Sequence, residues 1–322
     1  MNLGIYEQLI TGVLKAKLDS LDRQSFYINT SPIDKEEASR ILAQHLSSAM
    51  QQAFNLIKRD VTKQIEIANK IIVLLQQEIA QYDFKEDIID AEATILKAVF
   101  TTIDNHYSDL DLRLKEITPQ TRLTQSELFT GGNVGLSLES ELKKEIASAN
   151  RIDLLVSFIK WKAIVILKPA FEDFTANGGQ LRVITTTYMG ATDAKAIREL
   201  AKLPNTEIKV SYNVDKERLH AKAYLFYRNS GFHTGYIGSS NFSRSALTDG
   251  LEWNVKITTK EIPHIIAKFQ KTFESYWQHA EFELYDDLLH YEKLSGAIKN
   301  NRSGKTEEGI INFFDINPTI TN

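Results

Sequence analysis

The sequence predicts an α/β protein in which a mixed sheet is flanked by helices and preceded by an all-α N-terminal region. Two observations indicate this fold class. Apolar residues recur at helical spacing through the first hundred residues, and strand-like and helix-like segments alternate beyond about residue 135. Such alternation is typical of a layered domain in which helices cover a sheet. Between the two parts, Pro119, four threonines and a Gly-Gly-Asn turn at 131–133 indicate a domain boundary.

These patterns divide the chain into four parts. We predict a helical N-terminal region over 1–108, a linker over 109–134, the α/β domain over 135–280, and a C-terminal helix with a mobile tail over 281–322. In the N-terminal region, apolar spacing predicts long helices over 35–57 and 61–82. A helical bundle of this kind is more often a scaffold or docking element than a catalyst.

The α/β domain is predicted from alternating segments between turns. Helices are expected over 161–176, 191–203 and 263–277, and strands over 153–158, 181–188, 207–213, 219–226, 234–237 and 251–257.

Composition excludes several classes of function. The chain has 322 residues and no cysteine, so disulfides, thiolate catalysis and cysteine-metal sites are excluded, which fits a cytoplasmic protein. The N-terminus lacks a secretory signal pattern, and no apolar run is long enough for a membrane span. The net charge of −4 argues mildly against nucleic-acid binding. A local basic stretch argues for it, and contains Lys202, Lys209, Lys216, Arg218, Lys222 and Arg228, followed by Arg244.

The most informative pattern is a histidine and a lysine two residues apart, followed by a Gly-Ser-Ser-Asn turn. His220 and Lys222 open one apolar run, and Ser239 and Asn241 follow the next. Alone, the triplet is more often a solvated strand end, and the turn is most often only a turn. Together they place an imidazole, an ammonium and two hydrogen-bonding side chains beside predicted core strands, which suits attack on a phosphodiester.

The chemistry follows from these residue types. A lysine beside a histidine favours neutral imidazole, which is a nucleophile and forms covalent phosphoryl adducts. The ammonium of Lys222, the Ser239 hydroxyl and the Asn241 amide suit the oxygens where charge develops. We also predict substrate contacts from Ser240, Arg244 and Thr186, the last in a threonine run that ends a strand. For that run, β-propensity and turn formation are an equally good explanation.

At this point the sequence resembles a known family. His220-x-Lys222 followed by Gly238-Ser239-x-Asn241 resembles the HKD-type signature of the phospholipase D superfamily. The longer sequence around the signature resembles the phospholipase-D-like nuclease module found ahead of superfamily 2 helicases. It also resembles the related metal-independent restriction endonucleases. The stretches that carry this resemblance are DLLVSFIKW (153–161), LRVITTTYMGATD (181–193), RLHAKAYLF (218–226) and GYIGSSNFSRSALTDGLEWNV (235–255). It implies DNA as substrate and a helicase or other ATPase as partner or fused module.

Two departures from the superfamily pattern change what is expected. Tyr227 stands where the signature has an aspartate five residues after the lysine. The resemblance implies that Glu252 supplies the missing carboxylate and orients or charges a catalytic histidine. A solvent-facing strand residue is the alternative for Glu252. The second departure is copy number: one signature per chain implies that two chains form one site as a homodimer, with the partner's histidine protonating the leaving oxygen.

The sequence therefore predicts a DNA-cleaving phosphodiesterase that works through a covalent phosphohistidine. The predicted catalytic residues are His220, Lys222, Asn241 and Glu252. No cofactor and no metal are expected, because no dense cluster of metal ligands lies near the signature. Two alternatives stay open. One is a catalytically weak DNA-docking module, which the tyrosine at 227 favours. The other is a phospholipase or small-diester hydrolase, which the lack of a membrane-binding amphipathic segment disfavours.

Overall fold

The structure is a computed structural model. It describes residues 2–79, 81–101, 109–131, 136–213, 219–248 and 250–303. They fall into two compact units, Met1–Val99 and Phe100–Asn322. Some predicted features lie outside the described residues: Gly132 and Asn133 of the boundary turn, Lys216 and Arg218 of the basic stretch, and the tail from residue 304 onward.

The first unit is helical, as predicted. Its helices are α1 (Gly12–Asp19), α2 (Ala38–Leu56) and α3 (Val61–Glu78), followed by a 3₁₀ turn. Asp60 caps α3 by accepting the Lys63 N–H at 2.9 Å.

The second unit is built on one sheet, which confirms the predicted mixed α/β fold. Among the described residues the sheet has eight strands in the order β1-β7-β6-β5-β2-β3-β4-β8. The neighbours β2, β3 and β4 are parallel, and the other neighbouring pairs are antiparallel. The strands are β1 (Glu127–Phe129), β2 (Arg151–Val156), β3 (Gln180–Thr186), β4 (Thr206–Ser211), β5 (Lys222–Tyr227), β6 (Thr234–Gly238), β7 (Asn254–Thr258) and β8 (Phe282–Leu284).

Helices cover both faces of the sheet. They are α4 (Leu110–Ile117), α5 (Leu138–Ser148), α6 (Trp161–Ala176), α7 (Ala194–Ala201), α8 (Arg244–Leu247), α9 (Pro263–Gln278) and α10 (Asp287–Ser303). The alternation along β5 shows how they divide the core. Tyr224 and Phe226 belong to the core that includes residues of α5 and α6, while Ala223 and Leu225 belong to the core under α9. Both faces of the strand are therefore buried.

Strand directions bring distant parts of the sequence to one end of the sheet. The carboxyl ends of β2, β3, β4 and β6 and the amino ends of β5 and β7 lie together. We call this the upper end; it is marked by Val156, Thr186, Lys222, Gly238 and Asn254. The lower end is marked by Arg151, Gln180, Tyr227, Thr234 and Thr258.

Three segments differ from the sequence predictions. The strand β1 lies within the predicted linker and pairs with β7, and β8 forms the opposite edge of the sheet. The predicted strand over 251–257 begins only at Asn254. The helix α10 extends to Ser303, and the Arg302 Nε donates to the Gly190 carbonyl at 2.5 Å.

Candidate active site

The predicted signature residues meet at the upper end of the sheet. His220 lies just before β5, Lys222 is its first residue, and Ser239 directly follows β6. Since β5 and β6 are antiparallel, with Ala223 paired to Ile237, the start of one strand lies beside the end of the other. The histidine–lysine triplet and the Gly-Ser-Ser-Asn turn are therefore neighbours in space.

Lys222 and His220 form a close pair. The lysine Nζ lies 3.1 Å from Nδ1 and 3.2 Å from Nε2 of the imidazole, and it donates to the His220 carbonyl at 3.0 Å. The ring of Phe158 packs edge-on against the imidazole, with ring centroids 6.3 Å apart. His220 is nevertheless exposed. The imidazole is thus held on the protein side and open on the other.

The surroundings favour the neutral form of this histidine. Burial, and then the charge of Lys222, lower the pKa of His220 below its ordinary 6.5. Burial also lowers the pKa of Lys222, and the charge of Glu252 opposes that effect. At pH 7 the pair therefore presents a neutral imidazole, which is the nucleophilic form, beside an ammonium.

Glu252 reaches the site through Ser239. Its carboxylate accepts a hydrogen bond from the Ser239 hydroxyl. Among the described residues, the side-chain hydrogen bond of Glu252 is to this serine and not to His220. The carboxylate influences Lys222 through its charge. The structure thus places Glu252 beside Ser239, with a different hydrogen-bond partner from the one that a triad would need.

Asn241 also belongs to the site. Its Oδ1 is buried and has no hydrogen-bond partner within the described residues. Buried polar atoms are usually paired, and an exception calls for an explanation. The unpaired acceptor lies in the same turn as Ser239, beside the candidate site.

Ser240 differs from the prediction, because its side chain is fully buried. Its hydroxyl accepts the Asn254 Nδ2–H at 2.7 Å, its N–H donates to Asn254 Oδ1 at 3.4 Å, and its carbonyl accepts the Tyr224 hydroxyl. Ser240 therefore holds the turn in place and does not contact substrate. Asn254 is a site-supporting residue that the sequence reasoning missed; its signal was an amide within the predicted strand, two residues after Glu252.

Thr186 and Arg244 have different environments. Thr186 lies at the upper end but on β3, two strands from β5, and is fully buried. Its hydroxyl accepts the Tyr188 N–H at 3.0 Å, so it shapes the turn and is not open to substrate. Arg244, the first residue of α8, is exposed just after the turn and stays a candidate for phosphate contact.

The predicted basic stretch does not form one rim around the site. Lys202 pairs with Glu199 at 2.6 Å and precedes β4, at the lower end of the sheet. Arg228 follows β5, also at the lower end, and is buried against Glu145. The sequence grouped these residues because they are close along the chain, but the strands between them carry them to opposite ends.

Tyr227 resolves one departure from the signature. It ends β5 at the lower end, five residues from Lys222, or roughly 17 Å at the usual rise of a strand. Its ring lies under the Arg151 guanidinium, 3.7 Å from the ring centroid. Position 227 therefore lies too far from His220 and Lys222 for its side chain to contact them, and the tyrosine does not remove a carboxylate from the site.

Two further searches bear on the site. Within the described residues, no group of three or more histidine or acidic side chains is arranged to hold a metal ion. No helix in the described part of the chain is both long enough and apolar enough to cross a membrane.

Comparison with family models agrees with the family that the signature resembles. A family model for the cardiolipin synthase, phospholipase D-like domain matches residues 142–277, which include the whole candidate site. Similar solved structures include NucT from Helicobacter pylori, with 17% identity, a TM-score of 0.36, and 47% of this chain and 94% of that chain covered. Another is Nuc, a phospholipase D family member from Salmonella typhimurium, with 18% identity, a TM-score of 0.39, and 50% and 99% covered.

A third similar structure is the yeast tyrosyl-DNA phosphodiesterase, with 14% identity, a TM-score of 0.29, and 41% of this chain and 31% of that chain covered. No curated protein matches the chain. The family match and the His220–Lys222 pair support a phosphodiester hydrolase as the general class of activity. Residues 142–277 match a phospholipase D-like domain model, in agreement with the superfamily that the signature resembles.

Proposed function

We propose that the protein is a nuclease that cleaves DNA through a covalent intermediate on His220. The observation that carries this proposal is the Lys222 ammonium within 3.1–3.2 Å of both ring nitrogens of an exposed histidine. A neutral imidazole beside a fixed positive charge can attack a phosphorus atom whose oxygens the same charge attracts. The wider sequence resemblance supports DNA as the substrate.

The proposed reaction has two steps. An unprotonated ring nitrogen of His220 forms a bond to phosphorus, and the bond between phosphorus and the leaving oxygen breaks. A second histidine donates a proton to that oxygen. Water then attacks the phosphohistidine, gives its proton to the second histidine, and restores His220. The same histidine acts as acid and then as base, so protons balance over the cycle.

The proposed ligands of the phosphate oxygens are the hydrogen-bond donors that remain at the site. Ser239 donates its hydroxyl to Glu252, so that proton is already used. The Lys222 ammonium and the Asn241 amide are therefore the proposed donors, and Arg244 is a further cation within reach of the DNA backbone. Glu252 acts indirectly, as a positioning residue that holds Ser239 and balances Lys222.

The second histidine is proposed to be His220 of another copy. One signature per chain leaves each site without its acid, and an isologous dimer would supply it. An exposed apolar row beside the site supports this arrangement: Ile237 is 44%, Val255 44% and Leu128 43% exposed. Registered pairing places these three side by side across β6, β7 and β1. The row lies on the same face of the sheet as the core under α9, because Ile237 pairs with Ala223 of that core. An exposed apolar row of this kind is typical of a protein contact surface.

We propose that cleavage needs no metal ion, because Lys222 supplies positive charge where a metal would otherwise stand. The expected result is full activity in excess EDTA. Loss of cleavage on chelation, with recovery on adding Mg²⁺, would contradict it.

A helicase or other translocating ATPase is proposed as the working partner, on the sequence resemblance alone. Co-purification with such an ATPase, or stimulation of cleavage by it in the presence of ATP, would test that.

The central test is chemical trapping of the intermediate. Labelled DNA is mixed with the protein and quenched, and the label on the protein is tested for the acid lability of a phosphorus–nitrogen bond. The parent should become labelled and the His220→Ala variant should not. Label on the variant would refute the assignment of the nucleophile. Turnover of a bis-aryl phosphodiester or a short-chain lipid, with none of DNA, would indicate a small-diester hydrolase instead.

A further inference from the structure

Trp253 exposes a large aromatic surface beside the candidate site. Its side chain is 63% exposed, although it directly follows Glu252. The other two tryptophans of the chain have ring partners: the Lys195 Nζ lies 4.3 Å from the Trp161 ring centroid, and Trp277 stacks on Phe273 with centroids 5.8 Å apart. Within the described residues, the indole of Trp253 makes no aromatic or cation contact. Folding therefore does not account for this side chain.

The backbone of Trp253 is fixed to the site. The Ser239 N–H donates to the Trp253 carbonyl at 3.0 Å, and the Trp253 N–H donates to the Ser239 hydroxyl oxygen at 3.0 Å. The same hydroxyl donates to Glu252. The residue that carries the exposed indole is thus held to the turn that carries Asn241. An aromatic group in a fixed position next to a phosphate site is suited to contact the part of the substrate adjoining the phosphate.

We infer that Trp253 is the platform on which an unpaired nucleobase next to the scissile phosphate stacks, an inference that rests on the proposed cleavage of DNA. Every base has a flat face, so stacking on an aromatic side chain tolerates any sequence. A base inside a duplex is already stacked on its neighbours and cannot use the platform without being flipped out. The protein therefore prefers single-stranded or frayed DNA.

The apolar row and the indole have separate roles. Ile237, Val255 and Leu128 are aliphatic and lie side by side on the sheet, which suits another protein surface. Trp253 precedes β7 and lies nearer to Ser239, at the end of this row on the side of the site. Ser239, Lys222 and Asn241 lie at the same end of the sheet. We therefore assign the base that stacks on Trp253 and the phosphate that binds Lys222 to one strand of DNA.

The test measures binding of a short single-stranded oligonucleotide to protein that carries His220→Ala, so that the DNA stays intact. In that background, Trp253→Ala should weaken binding about 5- to 150-fold, the range expected for loss of one stacked base. Trp253→Phe should keep most of the affinity. Tryptophan fluorescence should be quenched by the DNA in the background protein and in a Trp161→Phe control, and much less in Trp253→Phe.

A second arm removes the base instead of the indole. Oligonucleotides with a single abasic position are scanned along the strand. At one position next to the cleaved phosphate, the abasic sugar should weaken binding as Trp253→Ala does, and the two changes together should cost no more than either alone. Additive losses at every position would overturn the inference. So would equal losses for single strands and duplexes.

The alternative occupant of this surface is a second copy of the chain, and the oligomeric state identifies it. Trp253→Ala should leave the sedimentation behaviour of the protein unchanged. Dissociation of an oligomer by Trp253→Ala, with unchanged DNA affinity per chain, would assign the indole to a protein contact and overturn the inference. Failure of the proposed function looks different: the parent and His220→Ala proteins would both fail to bind any DNA, whatever residue stands at 253.

Discussion

Two clusters of ionisable side chains in the second unit, one beneath α5 and one at the upper end of the sheet, differ in how their charges are paired. The first, which we call the buried ion network, consists of Lys256, Glu141, Glu145 and Arg228. The Lys256 Nζ lies 3.1 Å from Glu141 and 2.9 Å from Glu145, and Arg228 pairs with Glu145 from the other side. Each charge has an opposite charge in contact, and the carboxylates and the ammonium are fully buried.

The site at the upper end is arranged in the opposite way. Within the described residues, His220 has no carboxylate in contact, its near neighbour is the cationic Lys222, and the buried acceptor of Asn241 is left without a partner. His220 and Ser239 are exposed. The network closes its charges on one another, whereas the site holds its charge and hydrogen-bonding capacity open toward solvent.

This contrast shows which features indicate function. A strongly shifted pKa does not, because the network has the larger shift: burial raises the pKa of Glu145, yet the charges of Arg228 and Lys256 outweigh it and bring it to about 2. Structural ion pairs perturb pKa values as active sites do. Exposed side chains, His220 and Ser239, distinguish the site from the buried network, and substitutions in the two places should therefore fail in different ways.

The largest expected effect is at His220. The variant His220→Ala should show no detectable cleavage of DNA, because no other described side chain in the same chain can replace the nucleophile. Its fold should persist, since the imidazole is exposed and contributes little to the core. Parallel assays of cleavage and of thermal unfolding would check this. Cleavage at the parent rate by the folded variant would contradict the assignment of His220 as the nucleophile.

The next effect is at Glu252. The change Glu252→Gln keeps the size and an acceptor for Ser239 but removes the charge beside Lys222, and we expect kcat/KM for DNA to fall about 10²–10⁴-fold, with slow turnover remaining. The matched control is Glu261→Gln, a carboxylate that bonds the Ser126 N–H near the lower end of the sheet. The control should cleave at the parent rate. Equal behaviour of the two variants would mean that Glu252 is an ordinary surface carboxylate.

The network should respond in stability and not in chemistry. The change Lys256→Met leaves Glu141 without its charge partner in the core, and we expect unfolding in urea to become easier by about 3–5 kcal/mol. Lys222→Met, the control at the site, should cost less than about 1 kcal/mol, because that ammonium has no buried carboxylate in contact. If the two lysine variants were equally stable, the contrast between network and site would be wrong.

Much of this arrangement can be predicted from the sequence, for physical reasons. Long apolar runs with a clear period locate elements well: α6 is predicted over 161–176 and spans Trp161–Ala176. The signature predicts the strands that carry it, and its residues meet because β5 and β6 are consecutive and antiparallel. Local patterns are sufficient where neighbours in sequence are also neighbours in space.

Other features depend on contacts that no local pattern records. The strands β1 and β8 have three residues each, too few for a period to be seen. Adjacent Ser239 and Ser240 look alike in sequence, but the turn exposes one and buries the other against Asn254. The network joins Lys256 to Glu141, which is 115 positions away. The basic stretch does not surround the site for the same reason: strand direction, and not proximity in sequence, decides which residues lie close together.

The smallest expected effect is on the pH dependence of the site. Attack needs neutral His220, and its pKa is lowered first by burial and then by Lys222, so the acid limb of kcat/KM should lie below pH 6.5.

In the variant Lys222→Gln the positive charge beside His220 is gone while burial remains. The pKa should then rise toward its ordinary value, and the acid limb should move to higher pH. The sign is the informative part. Loss of a hydrogen-bond donor alone would lower the rate at every pH without moving the limb, and movement to lower pH would mean that Lys222 does not act on His220 through its charge. Cleavage rates of the two proteins between pH 4.5 and 8, with DNA well below KM so that they report kcat/KM, would separate these outcomes.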